Sequence, residues 1–194
     1  MHSDQLAPEL AKGNPQAFEK LYDLFAARLY AYCLGQLRNT ADAEDAVQNT
    51  MVRFVRYREK FRAVTSLDAY VFVCARNEVN RLRSRRKPGP TVPADEVQLV
   101  AREISGDEDR SDEERALLNR ALLLLPPDQL EVISLKVWSG LTFVEIATVL
   151  EIPSNTAASR YRYAVEKLRG IMEGDNELER SGKTAAEVPA SQAV

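Results

Sequence analysis

The chain has 194 residues, 45% hydrophobic and 28% charged, with a formal net charge of −3. That is the balance of an ordinary soluble globular protein, with room for one or two modest domains. No apolar run approaches the roughly 20 residues needed to cross a bilayer, and Met1–Lys12 lacks the basic start and apolar stretch of a secretory signal, so no membrane insertion and a cytoplasmic location are expected. The only histidine is His2, at a terminus expected to fray, which removes His-based triads and most zinc chemistry. Cys33 and Cys74 stand far apart, without a C-x-x-C, and read as small buried residues. No Gly-rich nucleotide loop, metal cluster or nucleophile–base pair is visible. The composition therefore points away from an enzyme and from any cofactor or metal.

Charge is segregated along the chain. Met1–Pro88 carries 15 basic and 10 acidic side chains, whereas Gly89–Glu114 carries 2 and 9. Arg115–Glu173 has 7 and 6, and Gly174–Val194 has 2 and 4. A basic block, an acidic connector, a nearly neutral block and a small polar tail are different objects. The expected class is all-α, with helical domains over 1–88 and 112–173, a flexible acidic linker over 89–111 and a disordered tail over 174–194.

In chain order, Asn14-Pro15 is a cap with Pro at the first helical position. Phe18, Leu21, Tyr22, Phe25, Leu29 and Tyr32 then recur at helical spacing. A second helix begins near Asn39-Thr40 with Asp42, Glu44 and Asp45 in its first turns, where the helix dipole favours acids. A third runs from Ser66 to about Lys87, stopped by Pro88-Gly89-Pro90. Its Arg76, Asn80, Arg83 and Lys87 form one stripe, away from Val71, Ala75, Val79 and Leu82. That stripe fits either a phosphate-tracking surface, with Tyr70 and Phe72 as stacking aromatics, or a solvated helix end with the aromatics in the core.

Gly89–Arg110, with two prolines directly after Pro88 and scattered acids, reads as a tether with one short helix around Asp95–Glu103. Because it has too few apolar residues for a core of its own, the two blocks are expected to move independently. The second block opens on the capping box Ser111–Glu114, with a helix to Leu125 and another from Pro127 through Trp138. Thr142–Glu145 is a further capping box, opening a short helix to Leu150. After a three-residue break a long helix spans Asn155–Met172. These are the dimensions of a helix-turn-helix, with Ile146, Ala147, Leu150, Ile152, Ala157, Tyr161, Ala164, Val165 and Leu168 turned inward. Asn155, Thr156, Ser159, Arg160, Arg162, Tyr163 and Lys167 lie on the other stripe, with the groups that reach base edges and phosphates in a major groove. An ordinary helical hairpin with a polar face is the alternative.

Taken together, the blocks resemble one family. Asp42-Ala43-Glu44-Asp45-Ala46-Val47-Gln48 resembles the acidic helix of the second conserved region of bacterial sigma factors, D-A-E-D-x-V-Q-E. Ala75-Arg76-Asn77 and the arginine-rich tail after it are similar to the promoter-melting helix that follows. Leu125-Pro126, Thr142-x-x-Glu145-Ile146-Ala147, Leu150-x-Ile152-Pro153 and Asn155-Thr156-x-x-Ser159-Arg160 resemble the fourth region. With only these two domains, the pattern is that of the extracytoplasmic-function group.

The resemblance implies a factor that, monomeric when free, binds core RNA polymerase and directs it to promoter DNA. Asp42, Glu44, Asp45, Gln48 and Asn49 would dock on the polymerase clamp helices, and apolar residues of helix Pro127–Trp138 on its flap. Phe61 and Tyr70 would help hold an unpaired minus-ten base, while Arg76, Asn80, Arg81, Arg83 and Arg85 track the strand. Asn155, Thr156, Ser159, Arg160, Arg162, Tyr163 and Lys167 would serve the minus-thirty-five element. An anti-sigma factor is an expected further partner. Against the usual pattern, Asn49 replaces Glu, Tyr70 replaces Trp, Val73 replaces a frequent Arg, and Ala158 a frequent Lys or Arg.

Overall fold

A computed structural model of the protein describes residues 6–85 and 112–185. The helices are α1 (Ala7–Lys12), α2 (Pro15–Leu37), α3 (Thr40–Arg56), α4 (Leu67–Arg85), α5 (Asp112–Leu123), α6 (Pro127–Ile133), α7 (Phe143–Leu150) and α8 (Ser154–Ala185). A 3-10 turn, Arg58–Ala63, precedes α4, and a π-type turn, Ser134–Trp138, continues α6. No strand occurs among the described residues. The tether and its short helix lie outside them.

The caps explain the starts. The Asn14 side chain accepts from the Gln16 N–H at 3.1 Å with Pro15 at the first helical position, and Asn39 accepts from the Asp42 N–H at 2.9 Å. Helix α1 ends on Gly13 in the left-handed region and packs on the 3-10 turn. Two boundaries differ from the sequence expectation. Helix α5 stops at Leu123, not Leu125, and α8 continues past Gly174 to Ala185. The stretch 175–185, expected to be disordered, extends a helix already nucleated by packing, where each added residue brings a hydrogen bond at little further entropic cost.

The larger correction concerns the relation of the halves, expected to be independent. Helix α4 packs along α7, and α2 against the Ser134–Trp138 turn. One hydrophobic core joins Leu21, Phe25, Leu29, Phe72 and Val79 of the first half to Val132, Leu135, Leu141, Ile146 and Val149 of the second. A smaller core, Leu122, Leu125, Leu130, Ile133 and Ala164, lies within the second half. The expectation of independence counted only the connector's apolar residues. Here it is the faces of the blocks themselves that cover each other, removing apolar surface from water.

Polar bonds line the seam. Tyr32 Oη donates to Glu131 Oε1 at 3.2 Å, Gln36 Nε2 to Ser134 Oγ at 3.1 Å and Ser66 Oγ to Glu145 Oε1 at 2.8 Å. The Arg28 guanidinium bonds Asp68 at 2.8 Å and the Ser139 carbonyl, lying 4.9 Å from the Phe25 ring centroid and 5.6 Å from that of Phe72. Gly35 permits a close approach, since a Cβ there would sit 3.0 Å from the Trp138 ring.

Candidate functional site

The acidic segment lies on α3 with its small residues inward. Ala43, Ala46 and Thr50 are buried, and the Thr50 hydroxyl donates to the Ala46 carbonyl at 2.7 Å. Glu44, Asp45, Gln48 and Asn49 are exposed on the other side, with Asp42 half-buried in the first turn. Beside them runs an open groove of about 510 Å³ lined by Tyr22, Ala26 and Tyr30 of α2 and by Val47, Met51 and Val52 of α3. Tyr22 and Val52 are each at least half exposed. An acid-and-amide rim beside apolar surface is suited to a protein partner.

Helix α4 positions the second group, and its side chains are less free than a helical wheel implies. Arg76 Nε donates to Glu131 Oε1 at 3.0 Å across the seam. Arg83 donates to the Gln36 carbonyl at 2.7 Å and to its side-chain oxygen at 2.8 Å, covering the end of α2. Arg81 forks onto the buried Glu78 carboxylate, with Nε at 3.0 and 2.9 Å from its oxygens. Only Asn80 and Arg85 of the set are exposed without such a bond.

Phe61 is not placed to hold a base. It is 1% exposed, and its ring centroid lies 5.6 Å from that of Phe54 and 5.3 Å from that of Tyr70. The 3-10 turn folds it under Tyr70, which stays half-buried at the surface. Burial, with Cys74 beside it, pushes the Tyr70 hydroxyl up to about 12, so the phenol is neutral. Phe72 belongs to the core, at 0% exposure.

The helix-turn-helix is built as its sequence indicates. Thr142 and Glu145 form a reciprocal capping box, with the Thr142 N–H donating to Glu145 Oε2 at 2.9 Å and the Glu145 N–H to Thr142 Oγ1 at 3.3 Å. Burial pushes the Glu145 carboxyl up, but bonds from the Thr142 backbone, the Ser66 and Thr142 hydroxyls and the field of Arg28 outweigh it, leaving its pKa below the usual value. Glu151, at φ 57°, ends α7 in the left-handed region and turns the chain into α8. Ile146, Leu150, Ala157 and Ala164 are buried and Ala147, Ile152, Tyr161, Val165 and Leu168 half-buried. Val149, 2% exposed, joins them unforeseen.

On the outer stripe of α8, Asn155, Arg162, Tyr163 and Lys167 are exposed and Thr156, Ser159 and Arg160 half-exposed. Arg160 pairs with Asp128 at 2.7 Å, and the Arg162 guanidinium lies 5.1 Å from the Tyr163 ring centroid. The expected apolar docking face on Pro127–Trp138 is not available. Leu130, Val132, Ile133 and Leu135 are buried, and Val137 is the large apolar residue left exposed. This half also carries an apolar groove of about 360 Å³ between α5 and α8, lined by Leu118, Val165, Leu168 and Met172, and exposes Leu124 and Val144. Glu131 and Asp128, which hold two of the candidate arginines, carried no signal in sequence. No cluster of His, Cys, Asp and Glu suited to a metal occurs among the described residues, nor any helix long and apolar enough to cross a membrane.

Residues 21–88 match the model of Sigma-70 region 2, and residues 115–168 that of Sigma-70, region 4. The chain is 31% identical over 150 residues to the ECF RNA polymerase sigma factor SigL of Mycobacterium tuberculosis, covering 77% of this chain and 85% of that protein. The chain belongs to the ECF group of the sigma-70 family. In three dimensions this sigma factor resembles CnrH, solved in complex with the cytosolic domain of CnrY. The TM-score is 0.68 at 23% identity, over 89% of this chain and 97% of that one. It also resembles the sigma factor RpoE of Bartonella quintana, solved with the anti-sigma factor NepR, at TM-score 0.59 and 25% identity over 80% and 94% of the chains. The two family segments coincide with the blocks that carry the exposed acidic face and the helix-turn-helix.

Proposed function

We propose that this sigma factor binds core RNA polymerase through the α3 face and directs it to promoters read by α8, with strand separation at α4. What carries the reading is the presence in one chain of an exposed acid-and-amide face, Glu44, Asp45, Gln48 and Asn49, and a capped helix-turn-helix offering Asn155, Arg162, Tyr163 and Lys167. The first suits a basic protein surface, the second base edges and phosphates.

The finer assignments follow the geometry. The clamp helices meet the α3 rim and the Tyr22–Val52 groove, and the flap fits the apolar groove between α5 and α8. Tyr70 stacks on an unpaired minus-ten base with Phe61 supporting it from below. Arg76, Asn80, Arg83 and Arg85 serve strand phosphates, whereas Arg81 is neutralised by Glu78. Thr156, Ser159, Arg160 and Arg162 serve the minus-thirty-five element. We assign 1–88 and 112–173 as the working domains, in a cytoplasmic chain that is monomeric when free. An anti-sigma protein is a fitting regulator, as NepR is the partner solved with the similar RpoE.

The test is transcription from a promoter panel by core polymerase with and without the purified chain. Specific start sites that depend on the chain are expected. Duplex binding as a dimer with no effect on start-site choice would point to a free-standing repressor instead.

A further inference from the structure

Of the α4 arginines assigned to DNA, Arg76 is tied directly to the opposite half, and Arg83 reaches it only through Gln36. Arg76 Nε donates to Glu131 Oε1 at 3.0 Å, and the same oxygen accepts from Tyr32 Oη. Arg83 donates to Gln36, whose amide donates in turn to Ser134. Side-chain exposure is 26% for Arg76 and 16% for Glu131, so solvent screens this pair less than one at the surface. A carboxylate oxygen facing an Arg76 N–H makes the same charge-assisted bond as a phosphate oxygen. Arg76 cannot give that Nε–H bond to both.

We propose that Glu131 is a latch, its carboxylate holding Arg76 in place of a DNA phosphate and keeping the free chain closed until DNA or polymerase displaces it. This rests on the assignment of Arg76 to DNA. An ordinary structural ion pair would join elements that stay together in function. Here the partners come from the strand-binding helix and from the half that carries the duplex-reading helix, two surfaces meant for different promoter elements. Two further seam bonds, Arg28 to the Ser139 carbonyl and Ser66 to Glu145, close the same interface without touching Arg76. The latch thus blocks strand binding while the rest of the seam aligns it.

The chain carries its own reporter. Trp138 is the only tryptophan, its ring packs against Gly35 at the seam, and its buried Nε1 has no hydrogen-bond partner. Separation of the halves wets the ring and red-shifts its emission. Two variants open the seam by different routes. Glu131→Gln removes the latch charge, and Gly35→Leu drives a side chain into the Trp138 ring while leaving Glu131 and Arg76 intact.

Circular dichroism first establishes that each variant keeps its helices. Both should then red-shift Trp138 emission and bind fluorescein-labelled oligodeoxythymidylate about tenfold more tightly than the natural chain, because more of the population is open. Arg76→Ala should red-shift the emission without the gain in binding. Unchanged emission in Glu131→Gln overturns the latch. So does a gain in strand binding for Gly35→Leu alone, since the seam would then occlude DNA without Glu131. A red shift in both variants with no gain in either overturns the competition with DNA. None of these readouts uses polymerase, so failure of the promoter-panel experiment is a separate result that sinks the proposed function and leaves the emission shift standing.

Discussion

Arg160 on α8 and Asp128 on α6 form an ion pair of 2.7 Å, joining a residue of the stripe proposed to read duplex DNA to an acid on another helix. The pair lies at the surface, with Asp128 63% exposed, so its contribution to stability is small, within about 1 kcal/mol. Its larger effect is on charge, since it occupies a guanidinium that we assign to DNA. Asp128→Ala should leave the melting temperature nearly unchanged and strengthen duplex binding by the holoenzyme. The slope of log affinity against log salt should steepen by about one unit as one phosphate contact is added. A salt titration on a minus-thirty-five duplex measures it, and an unchanged slope excludes the contact.

Asp45→Arg, or Gln48→Ala, should weaken binding to core polymerase with the fold intact. Both side chains are exposed on α3, and the helix is held by Ala43, Ala46, Thr50 and Phe54 on the opposite side. Reversal of a rim charge should also slow association, most clearly at low salt. Titration against core enzyme with matched circular dichroism decides it, and unchanged affinity would falsify the docking role.

Phe61 and Tyr70 should separate cleanly. Phe61→Ala empties a fully buried site against Phe54 and Tyr70 and should cost about 3–5 kcal/mol in denaturant unfolding. Tyr70→Leu keeps apolar volume but loses the aromatic face, so it should spare most stability and slow promoter opening. If Tyr70→Leu opened promoters at the normal rate, the stacking role would be gone. Permanganate footprinting of unpaired thymines reads the opening.

Glu145 gives a pH test. Its pKa is lowered in the folded chain, so its contribution is fully present above the unfolded carboxyl value and lost as pH falls through the folded one. The natural chain should therefore melt above Glu145→Gln at neutral pH, and the gap should close as the solution is acidified below about pH 4. A gap that widened in acid would reverse the sign and exclude the assigned cause. Melting curves across a pH series are sufficient.

The helices and the helix-turn-helix were legible because they are local. Asn14-Pro15, Asn39 and Thr142-x-x-Glu145 each settle a helix start with neighbouring residues, and the spacing of Ile146, Leu150, Ala157 and Ala164 settles which side is buried. What escaped was set by residues distant in sequence. Nothing near Phe61 announces that a 3-10 turn folds it under Tyr70, and nothing near Glu131 announces Tyr32 and Arg76. Glu78 looked like one of two acids on a basic helix, yet it is buried and takes the Arg81 fork. The independence of the halves was misjudged for the same reason. The apolar residues that join them, such as Val132 and Leu135, also fit a core within their own block.

The close seat of Trp138 on Gly35 has a consequence for how the chain is made. On the ribosome the first half emerges well before Trp138, at roughly 5–20 residues per second. During the intervening seconds the Gly35 notch is bare, the Tyr32 hydroxyl and Gln36 amide lack their partners across the seam, and Arg76 has no carboxylate. A nascent sigma factor is therefore open before it can close. In that interval the α3 face proposed to meet polymerase and the Arg76 side chain are exposed together, an arrangement that the closed chain no longer offers.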